Sequence, residues 1–244
     1  MARTVIIGDI HGCYAELSDL LDQLAVGEAD TVVFVGDLVA RGPDTQGVLR
    51  LARDLRAACV RGNHEQRLLD AREARARGER APRLGPQHLE LLSALDPEDW
   101  AQLEALPLWL DLPSHDVRIV HAGVDARQPI DEQDPWTLLH LRSIREDGSL
   151  SHHLDGVPWA GGYHSGPHIV FGHNSRLKLQ LYPRATGIDT GCVYGGTLTA
   201  LVLDEGRHVP PAGSRHDVLR SVRARASYYR GSAPRRAPRR VSAA

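Results

Sequence analysis

Short apolar runs that stop at a glycine and a polar residue recur along this chain. Val5-Ile6-Ile7 ends at Gly8-Asp9-Ile10-His11-Gly12, Val32 to Val35 at Gly36-Asp37, and Ala58-Cys59-Val60 at Arg61-Gly62-Asn63-His64-Glu65. Val117 to Val120 ends at His121-Ala122-Gly123, and Ile169-Val170-Phe171 at Gly172-His173-Asn174. Continuous apolar runs of this length, rich in Val and Ile, read as strands buried on both faces. Between the first three runs the period changes to that of a one-faced helix. Tyr14 to Leu24 carries Leu17, Leu20, Leu21 and Leu24, Asp44 to Leu55 carries Val48, Leu49, Ala52 and Leu55, and after Asn63-His64 a third helix runs to about Ala76. Strand, helix, strand, helix, strand is an α/β opening. From Leu84 to Pro113 the pattern turns helical, with a break at Asp96-Pro97, and predicts a cap inserted ahead of the His121 strand. After His173, Leu177 to Leu181, Thr186 to Ile188, Thr197 to Leu203 and Gly206 to Val209 read as short strands, with Asp204-Glu205-Gly206 as a hairpin turn.

Composition narrows the class. The chain has 244 residues, 42% of them apolar, enough for one large domain. No apolar run reaches the roughly 18–20 residues of a membrane span, and the first strand begins too close to Met1 for a secretion signal. Cys13, Cys59 and Cys192 have no paired spacing and read as reduced thiols, which points to the cytoplasm. Charge is unevenly distributed. The last 31 residues hold nine arginines against the single acid Asp217, a net of +8, and leave about −10 on the preceding body. Residues 1–213 therefore read as the folded domain and 214–244 as a basic, largely disordered tail, in which Val218, Leu219 and Val222 begin at most a short helix. Such a tail neutralises its own acidic body, with nucleic-acid binding as the sharper alternative.

The strand ends carry the chemistry. Sheets gather the loops after parallel strands at one edge, so Asp9, His11, Asp37, Asn63, His121 and His173 are expected to converge. Their oxygen and nitrogen donors suit Mn, Fe or Zn better than Ca or Mg. Six ligands exceed one tetrahedral ion and match two ions about 3.5–4 Å apart, the arrangement that clamps attacking and leaving oxygens in phosphoryl displacement. Elsewhere the polar residues read as solvated. The charged run Arg72 to Arg83 looks like an exposed helix end, with contact to a nucleotide as the lesser alternative, the cap acids and His88 lack ligand spacing, and His152-His153 stand in a polar loop. Asp189 either supports a ligand loop or caps the Thr190-Gly191 turn.

The motif series Gly8-Asp9-Ile10-His11-Gly12, Gly36-Asp37-Leu38-Val39-Ala40-Arg41-Gly42, Arg61-Gly62-Asn63-His64-Glu65, His121-Ala122-Gly123 and Gly172-His173 resembles that of the calcineurin-like metallophosphoesterases of the phosphoprotein phosphatase superfamily. With Gly187-Ile188-Asp189-Thr190-Gly191-Cys192-Val193-Tyr194-Gly195-Gly196, it is most similar to the bacterial diadenosine tetraphosphate hydrolases and ApaH-like phosphatases, over about residues 3 to 210. The resemblance implies an α-β-β-α sandwich and two divalent metal ions, manganese first, with Co, Fe, Zn or Mg as alternatives. Asp9, His11 and Asp37 then hold one ion, and Asp37 bridges to a second held by Asn63, His121 and His173. It further implies Arg41 and Arg142 as phosphate-binding groups, with Arg145 as an alternative to Arg142, and His64 as the proton donor to the leaving oxygen. The implied substrate is a dinucleoside polyphosphate, diadenosine tetraphosphate split symmetrically to two ADP. The alternative is a serine/threonine or tyrosine phosphoprotein phosphatase or general phosphomonoesterase. A binding module with a relic metal site is disfavoured by the intact ligand set. One position departs from the protein phosphatases, which carry an acid before the motif arginine to orient the catalytic histidine. Here that residue is Ala40.

Overall fold

The structure, a computed structural model, describes residues 2–230. Two five-stranded sheets form its centre. The first runs β13 (Leu219–Arg223), β12 (Thr197–Asp204), β1 (Arg3–Ile7), β2 (Thr31–Phe34), β3 (Ala58–Cys59). In it β1, β2 and β3 are parallel, and β12 is antiparallel to both of its neighbours. The second runs β10 (Gln180–Tyr182), β11 (Ala185–Gly187), β9 (His168–Phe171), β5 (Val117–Val120), β4 (Trp109–Leu112), with the inner three parallel and both outer strands antiparallel.

Period-two alternation sorts the strand residues between two cores. Ile6, Val33 and Val35 meet Val117, Ile119, Val170 and Ile188 between the sheets. Val5, Ile7, Val32 and Phe34 face outward onto α1 (Tyr14–Gln23) and α2 (Thr45–Asp54), which bury Leu17, Leu20, Val48 and Leu49 there. Helix α3 (Asn63–Arg77) follows β3, and α4 (Pro86–Ala94) and α5 (Pro97–Ala105) form the helical insertion. The outer face of the second sheet is covered by the short α6 (Pro135–His140), the buried Trp159 and a small sheet of β7 (Leu150–Ser151), β6 (Ser143–Ile144) and β8 (Val157–Pro158). The mixed α/β sandwich with a helical insertion is thus present, with a lighter outer layer on its second side.

Four expectations change. The insertion is helical only to Ala105, because Trp109–Leu112 pairs with β5 as a sheet-edge hairpin. Asp99, expected in solvent, is buried against Arg53 at 2.8 Å and docks α5 on α2. Gly206 to Val209 forms no strand: the chain turns at Arg207, whose N–H reaches Asp204 O, and β12 pairs instead with β1 and β13. The boundary at residue 213 also moves. Leu219–Arg223 is strand β13 rather than helix or loose tail, and places Leu219 in the inter-sheet core and Val222 against the helix-side core. Just before it, the fully buried guanidinium of Arg215 donates to the carbonyls of Pro210, Tyr182 and Ala185. Arg225 pairs with Asp19 of α1 at 2.7 Å. The expectation of disorder for 231–244 falls outside the described residues.

Candidate metal centre and active site

Every predicted ligand follows the carboxyl end of a parallel strand. Asp9 and His11 follow β1, Asp37 follows β2, and Asn63 opens α3 just after β3, all from the first sheet. His121 follows β5 and His173 follows β9, from the second. The loops interlock closely enough to require glycine: a methyl group on Gly172 would overlap Asp9 Oδ1, and one on Gly62 would overlap Asp37 Oδ1. His11, Asp37, Ala40, Arg41 and His173 all hold positive φ, between 49° and 69°. That region costs a non-glycine residue of order 1–3 kcal/mol and recurs where side chains must be aimed at one point.

Asp37 is that point. Its Oδ2 lies 3.4 Å from His11 Nε2 and 3.5 Å from His121 Nε2, while its Oδ1 accepts from the His64 backbone N–H at 3.0 Å. Asn63 Oδ1 lies 3.1 Å from His121 Nε2 and 2.8 Å from His173 Nδ1. The Asp9 carboxylate accepts the His173 backbone N–H with both oxygens, at 3.0 and 3.1 Å, and so joins the two sheets. Behind the predicted ligands sits Glu65, whose role the sequence did not disclose. Fully buried, it accepts the backbone N–H groups of Asp37, Val39 and Gly62 at 2.8 to 3.1 Å and fixes the Asp37 loop to the start of α3.

The donor set fits a cation. The imidazoles of His11 and His121 donate from Nδ1 to the carbonyls of Val39 and Val35, which can only accept, so each turns an Nε2 lone pair toward Asp37. For His121 this brings a lone pair against two oxygen acceptors, and a positive ion relieves that repulsion. Burial holds the imidazoles of His11 and His173 well below their usual range and pushes His121 down to about 4, which keeps a proton off their lone pairs. Burial, and then Asp189 and Asp37, hold the Asp9 carboxyl well above its usual range. Burial also pushes Asp37 up to about 7 against the opposing pull of Arg41. Of the two roles foreseen for Asp189 the turn cap is present, since its carboxylate accepts the Gly191 N–H at 3.0 Å; toward Asp9 it acts through charge alone, raising that carboxyl.

A cavity of about 150 Å³ opens on this cluster, lined by Asp37, Arg41, Asn63, Arg142, His173, Ser175 and Tyr194. Arg142 donates from Nε to His173 Nε2 at 3.2 Å, whereas Arg145 is engaged by Asp155, Ser149 and Ser151 away from the cavity. Arg41 donates to His11 Nε2 at 2.8 Å, and its guanidinium packs against the neighbouring rings of Tyr194 and Tyr229, 5.5 Å from each centroid. A larger basin of about 410 Å³ shares Arg41 and adds His64, Arg67, Arg83, His88 and Tyr229. His64 is buried, with no hydrogen-bond partner for Nδ1 among the described residues. Instead it stacks on His88 of α4 at 4.9 Å between centroids, so His88 is buried at the site rather than solvated. Arg83, expected in a solvated run, also borders the site. His152 and His153 remain exposed. Tyr229 and His88 gave no local signal. Each reaches the site by a long-range contact, one from the basic C-terminal segment and one from the insertion.

Comparison with known proteins agrees with this geometry. A family model of the calcineurin-like phosphoesterases matches residues 2–197. A symmetrical bis(5'-nucleosyl)-tetraphosphatase from Janthinobacterium sp. (strain Marseille) is 33% identical, covering 83% of this chain and 93% of the relative. The asymmetrical bis(5'-nucleosyl)-tetraphosphatase PrpE of Halalkalibacterium halodurans is 32% identical over 82% and 89% of the two chains. Serine/threonine-protein phosphatase 1 of Salmonella typhimurium is 31% identical over 80% and 88%. A crystal structure described as a candidate diadenosine tetraphosphatase superposes with a TM-score of 0.78 at 33% identity, covering 91% of this chain and 93% of the other.

Proposed function

The chain belongs to the calcineurin-like phosphoesterase family, and from that premise we propose that it hydrolyses dinucleoside polyphosphates, splitting diadenosine tetraphosphate symmetrically into two ADP on a pair of divalent metal ions. Asp9, His11 and Asp37 would hold one ion and Asp37, Asn63, His121 and His173 the other. The position of Asp37 Oδ2 between imidazoles of two different sheets supports the shared role. Manganese is our assignment, on the mixture of carboxylate, amide and imidazole donors. When bound, such a pair acidifies water enough for attack at neutral pH and draws charge from the phosphoryl oxygens.

The protein's own groups do the rest. Arg41 and Arg142 border the cavity from opposite loops, and their guanidinium forks match non-bridging phosphate oxygens. The Tyr194 and Tyr229 rings hold Arg41 in place for that contact. Arg67 and Arg83, with Arg41, make the adjoining basin basic, which suits a leaving group that carries phosphates of its own.

The observation that carries the substrate class is the bare Nδ1 of His64. With Ala40 in place of an acid, nothing there favours the imidazolium, and burial, with Arg41 next, holds the ring well below its usual range. A weak proton donor suits a phosphoanhydride, whose leaving phosphate has a second pKa of about 6, and not an alkoxide. The three buried free thiols support a reducing, cytoplasmic setting. No helix among the described residues is long and apolar enough to cross a membrane.

The test is chromatography of products from diadenosine tetraphosphate, phosphoserine and phosphotyrosine peptides and capped RNA, each with Mn, Co, Mg or Zn. ADP alone from the dinucleotide, at the highest kcat/KM of the panel, is expected. ATP with AMP overturns symmetrical cleavage, and faster turnover of a phosphopeptide overturns the substrate class.

A further inference from the structure

Behind the catalytic loops, away from its cavity, lies a second cluster of metal-ligating atoms. Cys13 Sγ, a Glu16 carboxylate oxygen and Cys192 Sγ all lie within 4.8 Å of one another. All three residues are buried, at 0%, 0% and 2% exposure. Cys13 caps the start of α1 and Glu16 is that helix's third residue, so the two share a face of its first turn, while Cys192 comes from the loop between β11 and β12. Buried carboxylates are normally paired or fully hydrogen-bonded. Glu16 is neither. Its Oε1 accepts the Arg225 N–H and the Tyr228 hydroxyl, each at 2.8 Å, but its Oε2 has no partner and no ion pair with Glu16 occurs among the described residues.

We propose that Cys13, Glu16 and Cys192 form a zinc site, separate from the proposed catalytic ions. Zinc is the ion for this donor set, since it is borderline-soft and takes soft thiolates together with a carboxylate in a tetrahedral shell whose fourth position water can fill. Zn–S bonds of about 2.3 Å and Zn–O bonds of about 2.0–2.2 Å place neighbouring ligand atoms roughly 3.5–3.8 Å apart, so the three donors close on the ion by small side-chain shifts. Charge is conserved: Zn²⁺ enters, the two thiols release two protons, and the carboxylate gains the partner that its Oε2 lacks.

The site has a structural consequence. Glu16 anchors residues 225 and 228 through its other oxygen, and the N–H groups of Tyr228 and Tyr229 both reach Val193 O, next to Cys192. Zinc therefore staples the C-terminal segment that lays Tyr229 on Arg41.

Cobalt tests this cleanly, because the proposed catalytic ligands include no sulfur and a thiolate-to-cobalt charge-transfer band can arise there only from a cysteine. Full-length protein, reduced and stripped of metal, is titrated with Co²⁺. Elemental analysis at saturation should find three ions per chain, with a near-ultraviolet charge-transfer band that zinc abolishes. Cys192→Ser should lose the band and one ion, and Cys59→Ser should keep both. No band in the saturated wild-type protein overturns the proposal without reference to any variant, and so does a band that survives Cys192→Ser.

Discussion

If the bare imidazole of His64 sets the substrate class, supplying it with an acid should change the class. Ala40 is the position to alter, since its positive φ of 65° is one that aspartate tolerates. It is also buried, at 1% exposure, so a carboxylate there is held away from water. A carboxylate beside an imidazole raises the ring's pKa by about 1–3 units, which increases the protonated fraction about ten- to a thousandfold when the ring starts well below neutrality. Only substrates that need the proton gain from this. A serine alkoxide, nearly as basic as hydroxide, needs it, and general acid catalysis is worth about 10²–10⁴ in such cases. ADP leaves through a phosphate oxygen with a second pKa of about 6 and does not. Ala40→Asp should therefore raise kcat/KM on a phosphoserine peptide by about tenfold or more, and change that on diadenosine tetraphosphate by less than about threefold. His64→Ala should act in the opposite sense, lowering phosphopeptide turnover by about 10² and dinucleotide turnover by under tenfold. Both constants are measured on both substrates, with metal content checked in each variant. An unchanged ratio of the two substrates in both variants refutes the reasoning.

Removing metal should reverse the usual pH trend of stability. Burial and Asp37 push Glu65 up to about 7 from its usual 4.5, so the folded protein keeps a proton that the unfolded chain has lost between those values. Tm of metal-free protein should fall as pH rises from 4.5 to 7, and bound metal should flatten the slope, as thermal scans across that window will show. Gly172→Ala should fold yet lose metal, because its methyl group displaces Asp9 Oδ1; elemental analysis of the folded variant checks it. A chain ending after Arg230 should keep its Tm within a few degrees. One ending after Ser214 loses β13 and Arg215, whose three carbonyl contacts to a charged donor are worth about 1.5–3 kcal/mol each, and should melt about 10 °C lower or more.

The convergence of the proposed ligands was legible because each is announced locally, by an apolar run, a glycine and a donor, and because parallel strands bring such ends together whatever their separation. What surrounds them was not. In strand β13 Leu219 and Val222 stand three apart and enter cores on opposite faces of the sheet, beside the exposed Arg220 and Arg223, so the segment shows no period-two alternation. Arg142 lines the cavity while Asp155 captures the Arg145 guanidinium, a contact between residues ten apart, on either side of β7, that has no periodicity. The burial of His88 rests on stacking against His64, 24 residues before it in the chain, and Tyr229 meets Arg41 across nearly the whole length of the chain. Such contacts leave no trace in a window of sequence.

The pairing of β1 also bears on how the protein is made. The strand that delivers Asp9 and His11 finds one neighbour, β2, almost at once, but its other neighbour is β12, with Ile7 opposite Ala200. At a synthesis rate of about 5–20 residues per second, the second partner leaves the ribosome roughly 10–40 s after the first strand. Through that interval the Val5-Ile6-Ile7 edge carries open backbone donors and acceptors and an apolar face, which is the template on which strands of separate chains pair. Slow translation between β2 and β12 should therefore lower the soluble yield of this protein, because it lengthens the time for which that edge stays open.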